Sequence, residues 1–407
     1  MSKLKKKDYD FIFVLPNFAL IPPGGYMVVF ELSKYLIEKG YTVLIIFLKE
    51  MYKNLYSIIK DQKILKTVEE SDFGFRIFDK FQNTTFINLL IKMTRKYPLF
   101  LDLFVLKTNR STTEHKTANL LAEFNFDNID FVVKTNIPKE IKTRRIVATA
   151  WETSYFIDLF KGSKLKYYLV QHNEDDPSFS GLLSTLAKRS YDLNLKKIVI
   201  NERMQKRFYS ENPIKINVAA HVKGKVIIKP EERNNKTILI QLREGFDKGA
   251  DYAIQAALLI NSKRPDVDII SFGNYKQKLP NFITHLGYVD NSKYVEIMNL
   301  ASVFVLPSIV EGFSTPVLEA MSCGCVPVAT MCGGPEDFVE HQINGLLVPV
   351  RSSSDIAESV IWLLDNVKER IEMAYKAIDT SINYSTDRMG AEFIEGISMY
   401  EEKTSNF

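Results

Sequence analysis

The chain has little cysteine. Its three thiols, Cys323, Cys325 and Cys332, fall within one stretch of ten residues. No second ligand pair accompanies them, which argues against a structural zinc site and for small buried thiols in a reducing compartment. An excess of charge of one sign is also missing. The 53 basic and 49 acidic residues leave a formal charge of +4, too balanced to argue for nucleic acid as a partner. The basic cluster at the start, Lys3, Lys5, Lys6 and Lys7, reads as a solvated terminus rather than a lipid contact. No apolar run reaches membrane-spanning length. No signal peptide is visible, because charge continues to Asp10 and the next apolar stretch has the character of a strand. A cytoplasmic protein is expected, with any membrane contact peripheral and on the inner face. Internal repeats and low-complexity stretches are absent too.

What is present is an ordinary globular balance, 46% hydrophobic and 25% charged, over 407 residues, enough for two domains. The first half alternates strand and helix. Phe11–Leu15 is a buried strand, Gly24 and Gly25 sit in the following loop, Val28–Lys39 is an amphipathic helix ended by Gly40, and Thr42–Phe47 is the next strand. Such a βαβ unit implies a parallel sheet with right-handed crossovers. Further strands are predicted at 131–133, 146–150, 167–170 and 197–200, with Trp151-Glu152 ending the second of these. Residues 51–125 fit the alternation poorly. Within them, 86–106 interleave apolar, aromatic and basic residues around Pro98, suggesting a broken helical hairpin packed on the sheet, with a membrane-surface or acceptor-binding element as the alternative. Residues 213–236 read as a linker. The second half restarts with strands at 237–241, 267–272, 283–287, 303–306 and 326–329, a helix over 251–261, and final helices over 354–400. The domains expected are 1–212, 237–380, and a tail 381–407 that packs on the first.

The most informative run is Ser308-Ile-Val-Glu-Gly-Phe-Ser-Thr-Pro-Val-Leu-Glu-Ala-Met-Ser-Cys-Gly324, where seven residues separate Glu311 from Glu319. It follows an apolar strand. Thr315 is the expected N-cap, Pro316 the favoured first helical residue, and Gly324 the C-terminal stop. In a parallel α/β sheet that loop lies at the carboxyl end of a strand, where ligands bind. The helix start offers N–H groups and a positive dipole end to phosphate. Two carboxylates would repel phosphate unless they bind sugar hydroxyls, so the ligand suggested is a nucleotide sugar.

The run resembles the acidic motif of family-four retaining glycosyltransferases of the GT-B fold. The resemblance implies an α/β protein of two Rossmann-like doubly wound domains facing a central cleft, the first binding acceptor and the second donor. Leu242-Arg-Glu-Gly-Phe-Asp-Lys-Gly249 resembles that family's basic element, whose Arg and Lys hold the donor diphosphate; Arg243 and Lys248 match. Leu242 stands where the family usually has Gly. The implied mechanism is metal-independent attack on the face the leaving group departs from, with Arg243, Lys248 and the helix start in place of a cation. Asp266-Val-Asp268 precedes its strand, whereas a metal-binding Asp-x-Asp would end one. Glu311 is assigned to sugar hydroxyls and Glu319 to the ribose or the sugar. Gly312, Phe313, Ser314 and Thr315 line the donor loop. Gly333 and Gly334, ahead of Pro335, allow close backbone approach, or a tight structural turn. Gly24 and Gly25 match the glycine loop of the acceptor domain, and His172, at a strand end, is placed to meet a sugar hydroxyl or the acceptor.

Trp151-Glu-Thr-Ser-Tyr155 and Val170-Gln-His-Asn-Glu174 resemble a rhamnosyltransferase subgroup in polysaccharide assembly. The implied partners are a nucleotide-diphosphate sugar and a glycan or lipid-linked glycan, with no cofactor. Two rival readings share the architecture: a nucleotide-sugar epimerase, which would act without an acceptor, and an inactive subunit that only binds the sugar nucleotide.

Overall fold

The computed structural model describes residues 8–16, 24–49, 51, 55, 58, 126, 128–173, 181–220 and 226–405. The basic start, the segment 86–106 and Glu174–Asp176 lie outside them. Among the described residues the chain divides into two units. One is Met1–Val199 with Phe208–Ile214, and the other is Ile200–Arg207 with Lys215–Phe407.

The first unit is built on a sheet of β1 (Asp8–Leu15), β2 (Val43–Leu48), β3 (Asp130–Lys134), β4 (Lys142–Ala148), β5 (Leu165–Val170), β6 (Lys196–Val199) and β7 (Ile214–Lys215), ordered β3-β2-β1-β4-β5-β6-β7. Strands β1 to β6 pair in parallel, with Phe13 opposite Ile45 on one side and Val147 on the other. All six residues of β2 are buried, as expected of a parallel strand covered on both faces. Helix α1 (Gly24–Glu38) provides the first crossover. The order reverses at β1, whose neighbours are β2 and β4, so the carboxyl ends of β1 and β4 flank a switch point.

One local expectation is corrected here. Strand β4 ends at Ala148, and Trp151 opens helix α2 (Trp151–Leu159) rather than closing the strand. Ala150 is the extended N-cap. Thr153 Oγ1 accepts the Thr149 and Ala150 N–H groups at 3.1 and 3.2 Å. A Thr at the third helical position thus supplies the reach-back half of a capping box, which outweighs the β-propensity of the preceding run. Helices α3 (Gly181–Ser190) and α4 (Glu202–Arg207) follow β5 and β6.

The second unit contains β8 (Thr237–Gln241), β9 (Asp268–Phe272), β10 (Ile283–His285), β11 (Val303–Leu306), β12 (Val326–Thr330) and β13 (Leu346–Val348), all parallel and ordered β10-β9-β8-β11-β12-β13. The helices are α5 (Ala250–Lys263), α6 (Asn291–Leu300), α7 (Thr315–Ser322), α8 (Ser353–Asp365), α9 (Val367–Ile382) and α10 (Thr386–Ser405). Helix α5 buries Ala250, Ala253, Ala257 and Ile260, one stripe at helical spacing whose small side chains let it lie close to the sheet. Helix α6 is not among the elements expected from the sequence. Its signal is Asp290, which accepts the Lys293 N–H at 2.8 Å as an N-cap. The order reverses between β8 and β11, which pair directly with Val305 opposite Ile240.

The segment expected to be linker is partly core. Pro230 and Arg233 are buried, and Arg233 Nη1 donates to the carbonyls of Met298 and Ala301 at 3.1 and 2.7 Å. The arginine satisfies carbonyls that the end of α6 leaves open. The tail expected on the first domain, α10, falls within the second unit. It buries Met389, Phe393 and Ile397 along one stripe, and its Glu392 accepts from Asn217 Nδ2 at 2.8 Å.

Candidate functional site

The residues singled out in the second half meet where β8 and β11 end. Leu242 continues the ladder, its N–H donating to Phe272 O at 2.8 Å. Its side chain is buried, so this position serves as core. The chain then turns through Gly245, at φ +123°, into a single 3-10 turn, Phe246–Lys248. Gly249 follows at φ +64°, and a Cβ there would stand 2.0 Å from Pro307 O. This contact, and the Ile309 N–H donating to Asp247 O at 2.7 Å, lock the β8 loop against the β11 loop. Lys248 Nζ lies 3.1 Å from Glu311 Oε1 and 2.9 Å from Asp247 Oδ2. Ser308 Oγ donates to the same Glu311 oxygen at 2.8 Å. A basic and an acidic side chain, each 14% exposed, therefore share one point at a topological switch, the place where open α/β sheets bind ligands.

Arg243 is partly exposed at the head of the same loop. Its guanidinium has no carboxylate partner among the described residues. The cation is thereby available to an anionic ligand, whereas Lys248 is shared between two carboxylates.

The N-cap of α7 is Ser314 rather than Thr315. Ser314 is left-handed, φ 71° and ψ 56°, and makes no side-chain cap. Its carbonyl receives the Val317 N–H at 3.0 Å, and its Oγ is buried with no partner among the described residues. A Cβ on Gly334 would stand 2.6 Å from the Phe313 carbonyl carbon, so the two glycine-bearing loops press backbone to backbone. The Phe313 ring packs on Phe338 and Tyr384, with centroids at 5.2 and 5.9 Å; its side chain is used in packing. The carbonyl of Gly312 accepts from Asn201 Nδ2 at 2.6 Å. Gly333 takes φ +100°, and its N–H donates to both carboxylate oxygens of Glu336 at 3.0 Å.

Glu319 is the fifth residue of α7 and is buried. Its Oε2 accepts from Tyr294 Oη at 2.7 Å. Burial, and next the Glu319 carboxylate, hold the Tyr294 hydroxyl well above its ordinary titration range, so it stays a donor at alkaline pH. Tyr294→Phe is expected to cost about 1.5–3 kcal/mol, the range for a hydrogen bond to a charged group. Thermal unfolding with and without donor measures it, and an unchanged midpoint would show that Glu319 is held by other groups.

In the first unit, Gly24 and Gly25 open α1. A Cβ on Gly25 would stand 3.2 Å from Gln171 Oε1. Gln171 Nε2 donates to Thr149 O at 3.3 Å, and Thr149 Oγ1 to Val14 O at 3.0 Å. The ends of β1, β4 and β5 are therefore joined beside the glycine pair. His172 follows on the same strand end, and its carbonyl accepts from Tyr191 Oη at 3.4 Å. The structure thus brings together Gly24, Gly25 and His172 in one unit, and Arg243, Lys248, Glu311 to Thr315, Glu319, Gly333 and Gly334 in the other. Sequence reasoning missed Asn201, Tyr294, Ser308 and Asp247; Ser308 had the plainest signal, a hydroxyl three residues before Glu311.

Asp266 is held by Arg264 at 2.9 Å and Lys236 at 3.3 Å, and the Arg264 hydrogen bond keeps its carboxyl well below the usual range. Its carboxylate thus serves an ion-pair cluster. Among the described residues no group of three or more His, Cys, Asp or Glu is placed to hold a metal ion. No helix among them is long and apolar enough to cross a membrane. All three cysteines are free and buried.

Residues 224–380 match the family model described as glycosyl transferases group 1. That segment lies within the second unit. An uncharacterized glycosyltransferase of Haemophilus influenzae is 26% identical over 243 residues, 56% of this chain and 69% of that protein. The N,N'-diacetylbacillosaminyl-diphospho-undecaprenol alpha-1,3-N-acetylgalactosaminyltransferase of Campylobacter jejuni is 30% identical over 104 residues, 26% of this chain and 28% of that one. Among solved structures, Anabaena Alr3699/HepE in complex with UDP and glucose aligns over 96% of this chain and 100% of its own, with TM-score 0.64 and 15% identity. The architecture is GT-B: two parallel-sheet Rossmann-like domains.

Proposed function

We propose that this chain is a group 1 glycosyltransferase that moves a hexosyl or deoxyhexosyl group, with rhamnosyl among the candidates, from a nucleotide-diphosphate sugar to a glycan or lipid-linked glycan. The setting is cell-surface polysaccharide assembly at the cytoplasmic side of the membrane. The observation that carries this reading is the Lys248–Glu311 contact of 3.1 Å where β8 and β11 end, beside Arg243, which has no carboxylate partner among the described residues. Arg243 and Lys248 hold the diphosphate and offset the charge it gains as the sugar departs. Arg243 offers parallel hydrogen bonds to phosphate. Glu311 receives sugar hydroxyls, and Glu319, fixed by Tyr294, receives the ribose or the sugar. Gly312 to Thr315, Gly333 and Gly334 bring backbone to the donor. Gly24, Gly25 and His172 serve from the acceptor-binding unit.

The bond between the anomeric carbon and the diphosphate oxygen breaks, and the acceptor hydroxyl attacks from the same face. The departing phosphate oxygen takes the hydroxyl proton, so no protein base and no metal are needed and configuration is retained. The Campylobacter relative's name specifies a diphospho-undecaprenol-linked sugar, which supports a lipid-linked acceptor.

The test starts with a thermal-shift screen of UDP-, GDP- and dTDP-sugars, since a bound donor stabilises the fold in proportion to RT ln(1 + [L]/Kd). The stabilising donor is then incubated with lipid-linked glycans, and the product anomer is read by proton coupling. Transfer with retention is expected. An inverted product, an epimerised donor without acceptor, or tight binding with no transfer to any acceptor would each overturn it.

A further inference from the structure

Arg203 precedes the matched segment 224–380 and the expected start of the second domain, yet its helix α4 belongs to the second unit. Hydrogen bonds tie its N-terminal end there. Asn201 is buried and uses both ends of its amide: Nδ2 donates to Gly312 O at 2.6 Å, and Oδ1 accepts the Met204 N–H at 2.7 Å. The Glu202 N–H donates to Asp337 Oδ2 at 2.8 Å. Arg203 is therefore anchored by its neighbours to the loop of Glu311 and to the turn after Gly334. Its side chain extends over Gly333. Arg203 Nη1 stands 2.8 Å, and Glu311 O 3.4 Å, from the point a Cβ on Gly333 would occupy.

We infer that Arg203 is a further anion-binding residue of the donor site and contacts the diphosphate of the nucleotide sugar. The inference rests on the donor reading above. Charge balance supports it. Lys248 is already shared by Asp247 and Glu311, which leaves Arg243 as one uncompensated cation for a diphosphate. Arg203 supplies a second, having no carboxylate partner among the described residues. Other cations of its segment are occupied: Lys206 and Lys215 lie 3.5 and 3.8 Å from Glu202. A guanidinium whose backbone is fixed and whose fork is open suits two-point contact with phosphate. Gly333, lacking a Cβ, leaves the room for it.

The experiment titrates the chain calorimetrically with UDP and GDP, and with uridine and guanosine as phosphate-free probes. Arg203→Ala is expected to weaken nucleoside diphosphate binding roughly tenfold, the scale of one charge-assisted contact. It should also flatten the salt dependence and leave nucleoside binding unchanged. Arg203→Lys should recover part of the loss, and Lys206→Ala should match wild type. Diphosphate binding unchanged in Arg203→Ala but lost in Arg243→Ala would overturn the inference while the donor reading stood. Equal loss of nucleoside would overturn it as a loop-positioning effect. Intact diphosphate binding with impaired transfer would assign the cation to the acceptor instead. A wild-type chain that binds neither nucleoside diphosphate would remove the donor reading and the inference together.

Discussion

Lys248→Ala is expected to lower transfer by roughly two to three orders of magnitude, the usual effect of removing one fixed stabiliser of transition-state charge. Its effect on stability should be the lesser one, about 1–3 kcal/mol from leaving Glu311 and Asp247 without their counter-charge. The lysine is not a core residue. Its ammonium sits at the mouth of the β8 and β11 loops, between Asp247 Oδ2 and Glu311 Oε1 at 2.9 and 3.1 Å. Removal leaves the Ser308 hydroxyl still bonded to Glu311 at 2.8 Å, and the Ile309 N–H still bonded to Asp247 O at 2.7 Å. The scaffold thus persists without the charge. What is lost, on the donor reading proposed above, is a cation for the departing diphosphate, together with the counter-charge that lets two carboxylates stand beside it. Arg243→Ala should behave alike, with a larger rise in donor KM because that side chain has no carboxylate partner among the described residues to satisfy first. The measurements are kcat at saturating donor and the thermal midpoint. Full activity in either variant, with donor binding intact, would remove these residues from the mechanism.

The parts of this site that were legible in the sequence are those set by local chemistry. Val303–Leu306, Pro316 and Gly324 fixed a strand, a helix start and a helix stop around the two glutamates, and the structure keeps all three. The cap itself was misplaced by one residue. Thr315 has the better side chain for capping, but Ser314 occupies the cap because backbone packing decides there, with Gly334 pressed on Phe313. No local signal carries that contact. Trp151 opens a helix where a strand end is expected for the reverse reason, since an apolar run masks the capping role of Thr153. The elements hardest to read are those defined by distant partners. Tyr294 and Glu319 are 25 residues apart, and Asn201 and Gly312 are 111 apart. Composition places a domain boundary at 212, whereas the segment Ile200–Arg207 groups with the second unit. Its membership depends on hydrogen bonds to Gly312 and Asp337 that composition does not register.

Gly249→Ala is expected to damage both stability and activity, by a route opposite to that of Lys248→Ala. Gly249 sits at φ +64°, where a Cβ costs about 1–2 kcal/mol on backbone grounds alone. Steric contact costs more. The added carbon would stand 2.0 Å from Pro307 O and 2.9 Å from its carbonyl carbon, and main chain at a strand end cannot rotate away as a side-chain tip can. Either the β8 loop or the end of β11 must move. Both the Ile309-to-Asp247 hydrogen bond and the Lys248–Glu311 contact cross that seam, so both lengthen together. The expected loss is roughly 2–4 kcal/mol, the upper range for a named backbone and packing defect. Activity should fall at least as far as in Lys248→Ala, although every charged group is still present. Gly40→Ala is the control. Gly40 is at φ +88° with nothing within 4 Å of an added Cβ, so only the backbone strain applies and activity should hold. If Gly249→Ala melted no lower than Gly40→Ala and kept its turnover, the close approach of the two loops could not be what assembles the basic and acidic groups. If it melts lower and loses turnover, the site's chemistry depends on a glycine that bears no functional group at all.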